Sequence, residues 1–274
     1  MEYASLLVHL DLEPSNDSRL QIAGQLATRF NAKVIGVTAS DPHPAVYAQG
    51  IVASGLIAQE RQFLESQMEA AEQRFKSAME SFSVKCEWRQ AFEQPAAFIA
   101  RQSRAADLVI TGIGRREILT DPRYVLDPSE LVLQIGRPLL IVPPAVQDLS
   151  AKRVVVGWKN TRESRRAIWD SLPLLRAAEE VVVATVCEGD AEAAAAASLN
   201  DVLGWLQLHH VSAVKRVLIS EGDASDALAA IVSDELADLL VSGAYGHSRL
   251  GEWIWGGVSQ KLLTSSEVCC LMAH

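Results

Sequence analysis

Short apolar runs and amphipathic stretches alternate along this chain from one end to the other. Residues 6–10, 33–38, 84–90, 108–110 and 139–142 have the length of strands, and the continuous Leu, Val and Ile of most of them suits strands buried on both faces. Helical patterns separate them. Pro14, Ser15, Asn16 and Asp17 supply turn and capping chemistry ahead of an amphipathic helix over 18–30. Phe63, Leu64, Met68, Ala71, Phe75 and Met79 line one face of a long helix over 58–82, and shorter helices are expected over 95–103 and 128–135. Strands that alternate with helices predict a parallel sheet, covered on both faces and joined by right-handed crossovers.

The order then recurs. Strands at 152–159, 181–186, 214–219 and 239–241 are interleaved with helices at 161–175, 191–208 and 224–234. Ala106-Asp-Leu-Val-Ile-Thr-Gly112 and Ala237-Asp-Leu-Leu-Val-Ser-Gly243 are nearly the same heptapeptide, 131 positions apart, whereas Val34 and Val182 of the second strands stand 148 apart. The difference of 17 residues fits an insertion at 41–58, where Pro42, Pro44, Gly50 and Gly55 break any period. The polar, proline-bearing stretch 143–150 reads as a linker, which gives domains at 1–146 and 151–274.

Composition narrows the class. With 49% hydrophobic and 22% charged residues and no apolar run near the roughly 18 residues of a membrane span, the chain is expected to be globular, soluble and not bound to a membrane. The start, Met1-Glu2-Tyr3-Ala4, has no basic region or cleavage site, so a cytoplasmic location is expected. A net charge of −9 opposes attachment to nucleic acid or anionic lipid. Cys86, Cys187, Cys269 and Cys270 sit among apolar neighbours without C-x2-C spacing, as reduced core thiols do. His209-His210 has no companions for a metal site, and no metal is expected.

The candidate chemistry lies after the last heptapeptide. Gly243 and Gly246 interrupt the chain past the strand, nine residues follow, and Gly256-Gly257 open a segment whose Val258, Leu262 and Leu263 have helical spacing. A helix start offers unpaired N–H groups and a favourable dipole to an anion, and Ser259 adds a hydroxyl in the first turn. Any one of these glycines alone is as consistent with a plain turn.

Their joint spacing, G-x2-G-x9-G, resembles the nucleotide loop of the universal stress protein family, with Gly257 where that family usually has serine or threonine. The duplication extends the resemblance to a tandem member: two doubly wound five-stranded α/β domains, Rossmann-like and similar to the adenine nucleotide alpha hydrolases. The resemblance implies ATP or another adenine nucleotide, with or without magnesium, in the C-terminal half. Phosphates would meet Gly243, Gly246, His247, Gly256, Gly257, Val258 and Ser259, and the adenine side Gly157, Trp158, Lys159 and Val186. Lys159 replaces the aspartate usual at the end of the first strand. It also implies that 139–142 and 268–272 pair as an internal pseudo-dimer, with a homodimer as a further arrangement.

The first half departs from the pattern. It keeps Asp11, but its loop reads Gly112-Ile-Gly114-Arg115-Arg116, and its helix start reads Leu126-Asp127-Pro128-Ser129. Asp127 can cap that helix with Pro128 in its first position, which puts a carboxylate where phosphate should sit, so no ATP is expected there. No base with an oriented partner is apparent, so binding in stress response or signalling is expected rather than catalysis, and no catalytic residue is named. An interaction protein of the same fold with lapsed sites, and a slow ATP-hydrolysing enzyme, fit the same residues. So does a different small ligand held under 41–58.

Overall fold

The computed structural model describes residues 2–12, 17–41, 54–113, 126–220, 224–244 and 266–274. The first half contains β1 (Ser5–His9), α1 (Asp17–Phe30), β2 (Lys33–Ala39), α2 (Ser54–Ser81), β3 (Cys86–Ala91), α3 (Pro95–Gln102), β4 (Leu108–Gly112), α4 (Pro128–Gln134) and β5 (Leu139–Val142). The second contains β6 (Arg153–Gly157), α5 (Arg162–Leu175), β7 (Glu180–Cys187), α6 (Glu192–Leu208), β8 (Val214–Ile219), α7 (Ala224–Asp234), β9 (Leu239–Gly243) and β10 (Cys269–Ala273). One correction concerns α2. It begins at Ser54, so the last residues assigned to the insertion are helical, and Gly55 does not stop the helix at its first turn.

The ten strands of the described residues form one sheet in the order β3-β2-β1-β4-β5-β10-β9-β6-β7-β8. Every neighbouring pair is parallel except β5 and β10, which run antiparallel with Leu140 opposite Leu271. The halves therefore meet through main-chain hydrogen bonds, and their strands run in opposite directions across that seam. Two apolar layers continue over it. On one side Leu6, Val8, Leu140, Val156, Val241 and Leu271 pack under α1, α2, α5 and α6; on the other Leu7, Ile141, Val155, Leu240 and Cys270 pack under α3, α4 and α7. Alternation of side chains along each strand sorts them between the layers.

The duplicated aspartates explain why the heptapeptide recurs. Asp107 Oδ2 accepts from the N–H groups of Ala4 and Ser5, at 2.8 and 3.0 Å, and so pins the start of β1. Asp238 accepts from Lys152 and Arg153 in the same way at β6. Each pair satisfies donors at a strand start that would otherwise need water.

The proline-bearing segment between the halves is strapped to α1 rather than hanging free. Ser18 donates to Pro144 O at 2.6 Å, Gln25 donates to Gln147 O and accepts from Leu149 N, and Arg29 donates to Ser150 O. Leu149 and Ala151 are buried. Tyr3 adds a tie between the halves through its hydroxyl, which donates to Asp170 O at 2.6 Å. Burial raises the pKa of the Cys269 thiol to about 12, so it stays protonated at neutral pH.

Leu271 is fully buried at the seam, so Leu271→Ala should cost about 3 kcal/mol in unfolding free energy. Denaturant melts of the variant should keep a single transition. Two separated transitions would show that the halves do not depend on the seam.

Candidate functional site

In an open sheet, ligands sit at the carboxyl ends of strands where consecutive crossovers leave in opposite directions. Here that point occurs twice. In the first half it lies between β1 and β4, because β1 leads to β2 on one side and β4 to β5 on the other; in the second it lies between β6 and β9. Of the residues expected to hold a ligand, Gly157, Trp158 and Lys159 stand at the end of β6, Val186 at the end of β7 and Gly243 at the end of β9. Three adjacent strands thus bring them together. Gly246, His247, Gly256, Gly257, Val258 and Ser259 lie outside the described residues.

The main chain at the second switch point is fixed in detail. Trp158 N donates to Ala184 O at 2.7 Å, Thr161 N to Lys159 O at 2.6 Å, and Lys159 N to Ser164 Oγ at 3.3 Å. Beyond β9, Ala244 N donates to Ala273 O at 2.8 Å, and the His274 ring lies 3.0 Å from Ala244 O. Helix α5 caps itself. Thr161 accepts from Ser164 N, while burial of Glu163 is outweighed by its own backbone N–H, the Thr161 hydroxyl and Arg162, which hold its carboxyl below the usual range. Lys159 is half-buried, and burial lowers its ammonium pKa.

Residues 150–274 match the model of the universal stress protein family. The second half of the chain is a universal stress protein domain. A universal stress protein from Archaeoglobus fulgidus DSM 4304 superposes on 98% of this chain and 97% of its own, at 15% identity and a TM-score of 0.75. A putative universal stress protein from Pseudomonas aeruginosa UCBPP-PA14 covers 98% of this chain and 92% of its own, at 15% identity and a TM-score of 0.57. The fold of the whole chain is therefore the fold of these proteins. A universal stress protein solved in complex with cAMP covers 53% of this chain and 100% of its own, at 22% identity and a TM-score of 0.36. No curated protein matches the chain.

Two residues of the universal stress protein domain have structural duties that the spacing did not reveal. A Cβ added at Gly243 would lie 2.6 Å from Ser164 N and 2.8 Å from the Glu163 carbonyl carbon, so this glycine lets the start of α5 press on β9. The Trp158 indole turns into the layer under α5 and α6, where Nε1 donates to Ser198 Oγ at 3.0 Å. Only its backbone remains at the strand end.

The first switch point is filled from within. Arg19 is buried and donates to Asp11 Oδ2 at 2.6 Å and to His9 O at 2.9 Å. A Cβ on Gly112 would lie 3.2 Å from the Arg19 guanidinium carbon, so the guanidinium covers the glycine where a ligand would approach. Asp127 caps α4 as expected, accepting from Ser129 N at 2.8 Å. The sequence reading missed Arg19. Its signal was a charged residue on the buried stripe of α1, in line with Ile22, Ala23 and Leu26. Gly114, Arg115 and Arg116 lie outside the described residues.

His9, buried beside this pair, has Nδ1 3.5 Å from Thr111 Oγ1 and 3.7 Å from Asp11 Oδ1. Desolvation lowers its pKa from 6.5 to about 4, against the pull of Asp11 and with the help of Arg19. The unfolded chain takes up this proton near pH 6.5 and the folded chain only near 4, so the contribution is complete above 6.5 and is lost as pH falls towards 4. Its size is about 3 kcal/mol. Unfolding measured at several pH values should show that much more acid sensitivity in the wild type than in His9→Leu; identical pH slopes would mean that His9 titrates normally. Separately, Arg19→Ala should lower stability by about 3 kcal/mol, because it removes a buried guanidinium from which both Asp11 Oδ2 and His9 O accept.

Proposed function

We propose that the chain is a tandem universal stress protein of the cytoplasm that binds one adenine nucleotide, ATP or a relative of it, at the switch point between β6 and β9. It acts as a ligand-dependent stress or signalling protein rather than as a catalyst. The observation that carries this reading is the contrast between the two equivalent places in one sheet. Between β1 and β4 a buried guanidinium covers Gly112 and engages Asp11. Between β6 and β9 the start of α5 lies against Gly243, the carboxylate there, Glu163, is paired with the exposed Arg162 rather than with a buried guanidinium, and Lys159 stands half-buried at the adjoining turn.

Those residues suit the ligand chemically. Arg162 is paired with Glu163 at 3.1 Å, so the local positive charge is that of the half-buried Lys159, which suits a phosphate in a chain that is acidic overall. Because α5 uses its first N–H groups on Thr161 and Glu163, the phosphate donors in this reading come from the glycine loop after β9, with Gly246, Gly256, Gly257, Val258 and Ser259. Gly157, Val186 and the backbone of Trp158 and Lys159 would face the base. Magnesium, where bound, would share the phosphate charge.

Calorimetry with magnesium-ATP should give one nucleotide per chain in the wild type and none in Gly246→Val, with Ser259→Ala weakened several-fold. Gly243→Val is a poor test, since its side chain would displace α5 whether or not a ligand binds. Two nucleotides per chain would overturn the closed first site, and none would leave an interaction protein of the same fold.

A further inference from the structure

Helices α5 and α6 part around a cavity of about 510 Å³ on the side of the sheet that they cover. Its floor is Trp158, Ile168 and Val202, all buried. Trp169 and Trp205 form a wall, with ring centroids 6.1 Å apart at 41°, and His209 continues the aromatic row 4.3 Å beyond Trp205. Trp169 is 44% exposed, a large indole face left to water beside a cavity of small-molecule size.

The polar groups at the rim have opposite sign and come from opposite helices. Arg165 of α5 is exposed, and its Nε donates to Thr161 O at 3.1 Å, which orients the guanidinium. Asp201 of α6 is exposed, and among the described residues it forms no ion pair. Both line the cavity, and they do not pair with each other. An anion alone would meet Asp201 and a cation alone would meet Arg165. A molecule that carries both charges satisfies the two together, and an aromatic ring on it would lie against the indoles.

We propose that this cavity is a binding site for a small aromatic zwitterion, of which a free aromatic amino acid is the simplest form. Its ring rests on Trp169 and Trp205, its carboxylate faces Arg165 and its ammonium faces Asp201. The site uses none of the glycine loop and stands whether or not a nucleotide binds.

The test is calorimetry on the full chain with three probes: L-tryptophan, tryptamine, which lacks the carboxylate, and indole-3-propionate, which lacks the ammonium. The wild type should bind L-tryptophan about tenfold more tightly than either analogue. Arg165→Gln should abolish the preference over tryptamine and keep the preference over indole-3-propionate; Asp201→Asn should do the reverse. Both residues are exposed, so the variants keep the core. Equal binding of all three probes, binding of none, or a preference that neither substitution changes would each overturn the proposal.

Discussion

The hydrogen-bonded seam between β5 and β10 is the constraint on which the rest of the molecule depends. Each half ends its sheet with a short apolar strand, and a bare edge of that kind exposes main-chain donors and acceptors to unwanted pairing. Antiparallel pairing of the two edges removes both at once and makes a sheet of ten strands. The apolar layers on either side then run through both halves, and the strapped segment along α1 and the Tyr3 hydroxyl add polar ties between them.

The two halves show how one scaffold yields unequal sites. Both keep an aspartate that clamps the first strand, because that bond serves the fold. They diverge at the strand ends, where the fold asks less. In the first half a buried arginine pairs with Asp11, and a neutral histidine lies beside them, so the protein's own side chains occupy the switch point. In the second half the corresponding strand end carries Lys159, half-buried, and its pKa is lowered by burial.

Much of this was legible in the sequence. The strand and helix order followed from hydrophobic period, and β8 and α7 have the expected bounds because turn residues flank them. The strand pairing at the seam was suggested by family resemblance and by the need to cover two edges. The plug in the first site was not legible, because Arg19 lies eight residues from Asp11 on another element and only the packing of α1 brings them together. The role of Gly243 was hidden for a related reason. A glycine spacing looks the same whether the missing side chain makes room for a phosphate or for the start of a helix. The aromatic cavity depends on Trp169 and Trp205, which lie far apart in the chain and meet only when α5 and α6 share a face of the sheet.

The reversal of strand direction at the seam also sets where the two switch points look. The carboxyl ends of the first half's strands emerge along one edge of the sheet, and those of the second half along the opposite edge. Across the sheet the two points are separated by four strand spacings, about 19 Å, in addition to the length of the strands themselves. They sit on a diagonal, facing away from each other. No single small molecule can span both, and a protein docked over one does not reach the other, so the molecule has two independent poles rather than one shared cleft.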